Sequence, residues 1–415
     1  MKLYRFISST AILLLLLAGS ALPLRAQEEE SRGAPAEPSD AAEVREQIKF
    51  VEELLPNFPD RAGALYFLAI AHQHLHENVP ALQRLKECLD LQAGFDPSGS
   101  QEFGAMKGDK EFDALVEKVH TAFPVESHAR VSLFAEARDL VPEGLAWDDQ
   151  RKIFYLGSLN LRKIIQITLE SRSSDFVPAD RDHLLPILGI RPNPSDGTVW
   201  AASFEDAGNT ELLHFDSSGK LLGRFAPPDK AHHGFNDLVV RPGGEVLVTD
   251  SLAGLVFRFD PVKKTFVTLA LHRRLIYPNG IALPSDDHTL YVADALGVIR
   301  VDLATMSSQD VDPGRRSTLA GVDGLYWRDG SLVAIQNGIG SPRVAVFKLS
   351  KDGLRVTRTT VLESRTALTE LPTTGAIRGA DFYFITNSQI DNLLNDKVRD
   401  VTRLAPIRIA SVHLP

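Results

Sequence analysis

Six short segments in the C-terminal two-thirds of the chain open with residues that could bind a cation. The segments are EGLAW, LGIRP, NDLVV, NGIAL, DGLYW and TGAIR, and they open at positions 143, 188, 236, 279, 323 and 374. Four of the opening residues carry a carboxylate or amide oxygen: Glu143, Asn236, Asn279 and Asp323. Hard oxygen ligands of this kind suit Ca²⁺, which takes about six to eight oxygens in flexible geometry. No histidine or cysteine opens a segment, and zinc is therefore a less suitable ion.

The four oxygen-bearing residues have a second explanation, because Asn and Asp before Gly are also common in turns. On the metal interpretation, the two carboxylates balance a 2+ charge and the two amides leave positions open for water or substrate. Leu188 and Thr374, which open the other two segments, are compatible with both explanations. We take the divalent-cation site as the leading interpretation, with calcium as the first choice of ion.

The spacing of the segments predicts the fold that brings them together. Each segment is followed by a tight turn and a second apolar strand, such as IFYLGS or VLVTDS, and the openings are 45, 48, 43, 44 and 51 residues apart. A repeat in the forties matches a propeller blade of four antiparallel strands. We therefore predict an all-β, six-bladed β-propeller over residues 130–415. The first strand of each blade lines the central channel, so the opening residues should meet near one channel mouth.

The last blade must borrow a strand from the start of the domain. The segment RLAPIRIAS supplies its third strand, after a long loop from Ile390 to Arg403. The segment from Val131 to Ala137, VSLFAEA, is the predicted fourth strand. Pairing the two ends of the domain in this way closes the ring and removes an exposed edge.

The N-terminal residues predict export. Lys2 and Arg5 precede an apolar run centred on residues 12–17, and Ala26 offers a cleavage site, so residues 1–26 read as a signal peptide. The apolar run is short for a membrane span. Residues 27–42 are acidic and rich in Pro and Ala, which predicts a disordered linker. We expect a periplasmic or secreted protein with no membrane span after cleavage.

Residues 43–125 have helical rather than strand periodicity. Val44, Ile48, Val51 and Leu55 recur at spacings that place them on one helix face. The stretch from Arg61 to Gln92 resembles one tetratricopeptide repeat. One such repeat cannot bury its own apolar face, so this small helical domain should pack on the propeller or on a protein partner.

The composition limits the classes of binding partner and the covalent cross-links that the chain can form. The net charge of −9 argues against a nucleic-acid partner, which would favour a concentrated basic face. Cys88 is the single cysteine, so the chain cannot form an intramolecular disulfide.

Four longer motifs resemble the senescence marker protein (regucalcin) and gluconolactonase family, which is related to diisopropylfluorophosphatases and paraoxonases. The motifs are PEGLAWD from Pro142, FNDLVVRPGGEVLVTDS from Phe235, PNGIALPSDDHTLYVADA from Pro278 and VDGLYW from Val322. The resemblance implies calcium- or zinc-dependent hydrolysis of lactones and related esters or phosphoesters. It also implies that Glu143, Asn279 and Asp323 are metal ligands, and that Asn236 is a fourth ligand or positions substrate.

The expected function follows from the site and the resemblance together. We expect a metal-dependent hydrolase of a lactone or related ester, in which Asp323, or a water that it orients, supplies the nucleophile or base. His232 and His233 lie just before Asn236, where a histidine could flank the site and serve as a proton shuttle, and we assign His233 to substrate binding. The alternative is that these are ordinary solvated loop histidines. Aldonolactonases of the family often carry Arg where this chain has Gly234, which argues against a sugar lactone. The alternative is a non-catalytic, calcium-binding propeller that serves as a protein-interaction or ligand-binding module.

Overall fold

The computed structural model describes residues 38–179, 181–205, 208–394 and 396–415. The predicted signal peptide (1–26) and residues 27–37 of the predicted linker lie outside this range. The described chain forms four helices followed by a six-bladed β-propeller, as the repeat predicts. Within it, none of the helices has the length and hydropathy that crossing a membrane requires.

The helices are α1 (Pro38–Leu54), α2 (Arg61–His74), α3 (Asn78–Asp90) and α4 (Lys110–Ala122). The predicted apolar face of α1 is buried along its whole length, from Val44 to Leu55. Helix α1 begins at Pro38, inside the segment predicted as linker, because Ala41 and Ala42 have high helix propensity and extend the amphipathic pattern towards the N-terminus.

Helices α2 and α3 form the pair that resembles a tetratricopeptide repeat. A three-residue connection joins them, and the small residues Ala69 and Ala81 are fully buried together with Leu85 and Cys88. The Cys88 thiol donates a hydrogen bond to the Ala62 carbonyl oxygen across the pair. The packing is that of a helical hairpin, and its relationship to tetratricopeptide repeats stays a prediction.

Two short strands precede the first complete blade: β1 (Glu126–Ser127) and β2 (Arg130–Ala135). Blade 1 contains β3 (Pro142–Asp148), β4 (Ile153–Ser158), β5 (Ile164–Ile167) and β6 (Ser173–Val177). Blade 2 contains β7 (Ile187–Pro192), β8 (Val199–Phe204), β9 (Thr210–Phe215) and β10 (Leu221–Phe225). Blade 3 contains β11 (Phe235–Val240), β12 (Val246–Asp250), β13 (Leu255–Asp260) and β14 (Thr265–Thr268).

Blade 4 contains β15 (Ile281–Ala282), β16 (Thr289–Asp294), β17 (Gly297–Asp302) and β18 (Ser307–Asp310). Blade 5 contains β19 (Val322–Arg328), β20 (Ser331–Gln336), β21 (Arg343–Leu349) and β22 (Val356–Ser364). Blade 6 starts with β23 (Gly375–Arg378) and β24 (Asp381–Ile385), continues through a small hairpin of β25 (Leu393–Leu394) and β26 (Lys397–Val398), and ends with β27 (Ile407–His413).

The predicted ring closure is present in blade 6. Its strand order is β2-β27-β24-β23, so the first long strand of the domain forms the outer edge of the last blade. The pairing is antiparallel and extends from Arg130 opposite Ser411 to Ala135 opposite Ile407. Strand β1 adds to the outer edge of blade 5 through β22. Each addition covers an edge that would otherwise expose unpaired backbone groups.

The glycine in five of the six opening segments is explained by the crowding of inner strands around the channel. A Cβ on Gly144 would lie 1.9 Å from the carbonyl oxygen of Leu188, which opens the next blade. A Cβ on Gly280 would lie 2.3 Å from the carbonyl oxygen of Asp323. Only glycine permits this approach. The pairing register of the inner strands of blades 1, 2, 3 and 5 also shifts around the opening residue.

The helices lie on the mouth face of the propeller, over blades 4 and 5. Their apolar core continues into mouth-face loop residues Ile276, Leu296, Ala320 and Ile339. Asp60 joins the two parts: one carboxylate oxygen accepts from Gly63 N at 2.9 Å and caps α2, and the other accepts from Leu319 N at 2.6 Å and Thr318 Oγ1 at 2.9 Å. The helical domain is therefore fixed to the mouth face of the propeller by apolar packing and by a capping carboxylate.

Candidate metal centre

The structure gathers the four predicted oxygen-bearing residues at the mouth. Glu143 in β3 is 4 % exposed, and Asn236 in β11 and Asp323 in β19 are each 5 % exposed. Asn279 lies two residues before β15 and is half-buried. They come from blades 1, 3, 4 and 5. The packing of the blades around the channel therefore positions these residues, because no single segment of the chain contains more than one of them.

Asp323 is held by amide groups from two loops. Its Oδ1 accepts from Asn279 Nδ2 at 2.8 Å, and its Oδ2 accepts from Asn337 Nδ2 at 2.5 Å. Burial raises the pKa of Asp323 to about 7, although the hydrogen bonds from Asn337 and Asn279 act in the opposite direction. Asp323 is therefore a carboxyl group that changes charge near neutral pH.

Glu143 carries the least satisfied polar atom of the site. Its Oε2 is buried and has no hydrogen-bond partner among the described residues. Burial raises the pKa of Glu143 well above its usual range, and the negative charges of Asp323 and Asp237 raise it further, against the opposing effect of Arg191. A buried carboxylate in this position gains most from a nearby positive charge.

Thr374, the opening residue of blade 6, supports Glu143 rather than adding an oxygen ligand. Its hydroxyl donates to the backbone carbonyl oxygen of Glu143 at 2.5 Å and accepts from Leu145 N at 2.9 Å. Thr373 donates to the same carbonyl at 3.1 Å. The backbone of Glu143 is thus fixed across the seam between the first and last blades.

The side-chain carbonyl oxygen of Asn236 is available to bind a ligand. Its Nδ2 donates to Ser251 Oγ at 3.0 Å, and that hydroxyl donates in turn to the Pro278 carbonyl oxygen at 2.6 Å, next to Asn279. The amide nitrogen of Asn236 is therefore committed, and its carbonyl oxygen remains for a ligand.

Two functional candidates were absent from the sequence-based set. Asp237 replaces the glycine of the other five segments and is buried, and its Oδ2 accepts from Arg191 Nη2 at 2.9 Å. The Arg191 guanidinium also lies over the Tyr326 ring, 5.5 Å from its centroid. Both charges act on the pKa of Glu143, so the ion pair lies beside the candidate centre. The one signal in the sequence was the missing glycine at position 237.

Carboxylates engage both ring nitrogens of His233. Its Nδ1 contacts Asp250 Oδ2 at 2.5 Å and its Nε2 contacts Asp229 Oδ1 at 2.9 Å. Burial acts to lower the pKa of His233, but the hydrogen bonds with Asp250 and Asp229 outweigh it and the net shift is upward. Asp250 ends β12, and Asp229 lies in the exposed loop before β11, so the predicted contact of His233 with substrate and its role in proton transfer stay predictions.

The residues fit a divalent cation by their chemistry. Two buried carboxylates with raised pKa values, one of them with an unpartnered oxygen, and the free carbonyl of Asn236 form an oxygen donor set. Asn279 presents its nitrogen to Asp323 and would offer its oxygen only after its amide group turns over. Among the described residues, no three His, Cys, Asp or Glu side chains lie together as a metal-binding group, so a cation here would depend on the amides.

An apolar cluster lies on the mouth face of the propeller, at blades 1, 2 and 6. It consists of the fully buried side chains Val141, Leu159, Leu188, Phe204, Ile390 and Leu393. Ile390 and Leu393 belong to the long blade 6 connection predicted from Ile390 to Arg403. Leu188, the opening residue of blade 2, is therefore part of this apolar cluster and not of the set of oxygen-bearing residues.

Solved structures share this architecture at low sequence identity. A catalytically inactive virginiamycin B lyase from Staphylococcus aureus with quinupristin has 15 % identity and a TM-score of 0.50, over 69 % of this chain and 99 % of that chain. A gluconolactonase from Xanthomonas campestris has 16 % identity and a TM-score of 0.48, over 69 % and 90 %. The PQQ-bound aldose sugar dehydrogenase from Streptomyces coelicolor has 13 % identity and a TM-score of 0.47, over 69 % and 99 %.

No protein-family model and no curated protein match the chain. The structural likeness is confined to the propeller fold, and fold alone does not determine chemistry. The chain is a six-bladed β-propeller with a helical domain on its mouth face.

Proposed function

We propose that the protein is a divalent-cation-dependent hydrolase of a lactone or related ester, with its site at the channel mouth. Glu143, Asn236, Asn279 and Asp323 would hold the cation, and calcium suits this oxygen set best. The observation that carries the proposal is the buried Glu143 Oε2, which lacks a partner beside a second buried carboxylate, Asp323. Two like charges buried together are costly unless a cation pairs with them.

The chemistry would divide between the ion and the chain. A bound divalent cation polarises an ester carbonyl and stabilises negative charge on its oxygen. Asp323 would accept a proton from the attacking water, because it is the carboxylate of the donor set that amide groups hold in a fixed position. The ester C–O bond then breaks, and the proton passes to the leaving alkoxide. Asn279 and Asn337 would hold the Asp323 carboxylate in position during both steps.

The surroundings of the mouth favour a small substrate with an apolar part. Leu188, Phe204 and Leu393 belong to the apolar cluster on the mouth face. A Cβ on Gly234 would lie 2.9 Å from Leu252 Cγ and 3.2 Å from Phe204 Cε2, so an arginine would not fit there without displacing them. A densely hydroxylated sugar lactone would find few polar partners on this side.

Export and a protein partner are further parts of the proposal that rest on sequence. The residues of the predicted signal lie outside the described range, and export is inferred from their composition alone. A protein partner would bind through the helical domain, as the resemblance of α2 and α3 to a tetratricopeptide repeat implies. Part of the apolar surface of the helices is already packed on blades 4 and 5.

The competing function is a propeller that binds a cation for rigidity without turnover. A panel of aliphatic lactones, aryl esters and phosphoesters, assayed with calcium and with EDTA, separates the two. EDTA-sensitive turnover that is lost in Asp323→Asn supports the hydrolase. The matched control is Asp149→Asn, an exposed carboxylate just beyond the far end of β3. Cation-dependent stability without turnover of any substrate contradicts the hydrolase and supports the competing function.

A further inference from the structure

A second candidate site lies where the helical domain meets blade 5, and it centres on Arg343. This residue opens β21 and is 5 % exposed. Its Nε donates to Gln336 Oε1 at 2.8 Å, whereas its Nη2 is buried and has no hydrogen-bond partner among the described residues. Burial lowers the pKa of Arg343 to about 10, against the opposing charge of Asp60.

Arg343 differs from two other largely shielded arginines of the propeller, each of which contacts a carboxylate. Arg273 contacts Asp294 at 2.6 Å and Asp310 at 2.7 Å. Arg191 contacts Asp237 at 2.9 Å. Within the described residues, no carboxylate lies within 4.0 Å of the Arg343 guanidinium. A buried guanidinium without a counter-ion is costly, so this position is poised to gain from a bound anion.

A cavity of about 210 Å³ adjoins Arg343 and has two chemically different walls. The polar wall includes Arg343, Arg365 and Ser341, and the apolar wall includes Val119, Phe123 and Val361. This volume is below the range of drug-sized ligand sites, which begins at about 300 Å³. It suits a molecule with one charged group and a tail of a few carbons.

Asp96 also lines the cavity, but its charge is already engaged. Its carboxylate accepts from Ser98 Oγ at 2.6 Å and Ser341 Oγ at 2.8 Å, and it contacts His120 Nε2 at 3.0 Å. Arg365 lies 4.0 Å from the same carboxylate. The remaining carboxylate of the lining, Glu126, is partly exposed and contacts His128. Among the described residues of the lining, Arg343 is left as the positive charge without a carboxylate partner.

The local chain conformation accommodates the guanidinium. Gly94 has a positive φ of 91°, and a Cβ at this position would lie 2.3 Å from Arg343 Nη1. Any other residue would displace the arginine or strain the backbone. The loop after α3 and blade 5 therefore meet at the Arg343 side chain, and both line the cavity.

We propose that this cavity binds a small organic carboxylate, with its head group on Arg343 and its short aliphatic tail against Val119, Phe123 and Val361. A guanidinium is well matched to a carboxylate, with charge-assisted hydrogen bonds. The apolar wall selects a monocarboxylate with a tail over inorganic phosphate. The proposal is independent of the hydrolase function, because the cavity lies at the outer rim, on blade 5 and α4, and shares no residue with the metal centre.

The test measures binding to the mature full-length chain by calorimetry and by the shift in thermal midpoint. The probes are acetate, butyrate and hexanoate, with butyramide as the neutral match to butyrate and inorganic phosphate as the competing anion. We expect saturable binding of butyrate that raises Tm, at least tenfold weaker binding of acetate, and no effect of butyramide. Arg343→Gln should weaken butyrate binding at least tenfold. Arg358→Gln, an exposed arginine on β22 of the same blade, should bind butyrate as the wild type does.

A second variant keeps the test decisive if Arg343→Gln does not fold. Ala122→Phe fills the cavity from α4, keeps Arg343, and should abolish the butyrate response. An unchanged response in either folded variant overturns the proposal. Stabilisation by butyramide equal to that by butyrate, or by phosphate and not by any carboxylate, overturns the assignment of a carboxylate. The absence of binding by all three carboxylates overturns the site.

Discussion

The charge of Asp323 in blade 5 reaches Glu143 in blade 1 across the channel mouth and helps to raise the pKa of the Glu143 carboxyl group. The two residues are 180 positions apart in the sequence, and each is almost completely buried. One of them has an unpartnered oxygen, and the other is held by two amide groups. This pair is the electrostatic basis of the proposed metal centre.

Replacement of Asp323 by Asn should remove the proposed base and leave the fold in place. Asn has the same size and can still accept one hydrogen bond, but it cannot take a proton from water. We expect a loss of about 10²- to 10⁴-fold in kcat/KM on the best ester substrate. The circular dichroism spectrum should match that of wild type. Full activity in this variant would remove Asp323 from the mechanism.

Asn337 should act as a positioning residue through Asp323. Its Nδ2 donates to Asp323 Oδ2 and so favours the charged carboxylate. In Asn337→Ala, the pKa of Asp323 should rise, and the acid limb of the pH–rate profile should move to higher pH. An activity loss without any displacement of that limb would indicate a merely structural role.

Asp60 should make the free energy of unfolding depend on pH. Burial raises its pKa from 3.8 to about 6 in the folded chain, against several hydrogen bonds. Between these values the unfolded chain has released the proton while the folded chain still holds it, so the free energy of unfolding falls as the pH rises. The pKa difference corresponds to a decrease on the order of 3 kcal/mol.

The contribution of Asp60 can be isolated by comparing urea denaturation of wild type and Asp60→Asn from pH 4 to 7. Other buried carboxyl groups, including Glu143 and Asp323, titrate in both proteins, so the difference between the two curves reports Asp60. As the pH rises, the free energy of unfolding of wild type should fall relative to that of Asp60→Asn. Parallel curves would show that Asp60 does not titrate in this range.

The ion pair between Asp237 and Arg191 should be strongly coupled. Asp237→Gly restores the glycine of the other blades but leaves a mostly buried guanidinium without its carboxylate. Breaking such a pair costs about 3–5 kcal/mol of stability. The double variant Asp237→Gly/Arg191→Met should recover a large part of that loss. Additive effects in a double-mutant cycle would contradict direct coupling.

The sequence predicted the parts of the molecule that repeat or follow a local period. The six opening segments predicted the blades, and the spacing from Val44 to Leu55 predicted the buried face of α1. The predicted closing strand from Val131 to Ala137 corresponds to β2, because only that pairing covers the edge of blade 6.

The remaining features depend on contacts that no local pattern specifies. Asn337 lies 14 residues after Asp323, in a loop whose direction is set by blade packing. Arg191 and Asp237 are 46 residues apart and meet only when two inner strands adjoin. The sequence places His233 close to Asn236, but its contact with Asp250, the last residue of β12, is likewise set by the pairing of strands within the blade.

Thermal unfolding with calcium and with EDTA tests the metal centre most directly. The comparison is between wild type and the double variant Glu143→Gln/Asp323→Asn, with Asp149→Asn as a control. A ligand that binds only the folded chain at about one hundred times its Kd adds about 2.7 kcal/mol, which is readily seen as a rise in Tm. The metal centre predicts a calcium-dependent rise in wild type and control, and none in the double variant. An equal rise in all three proteins, or no response to any divalent cation, would contradict a cation site at Glu143 and Asp323.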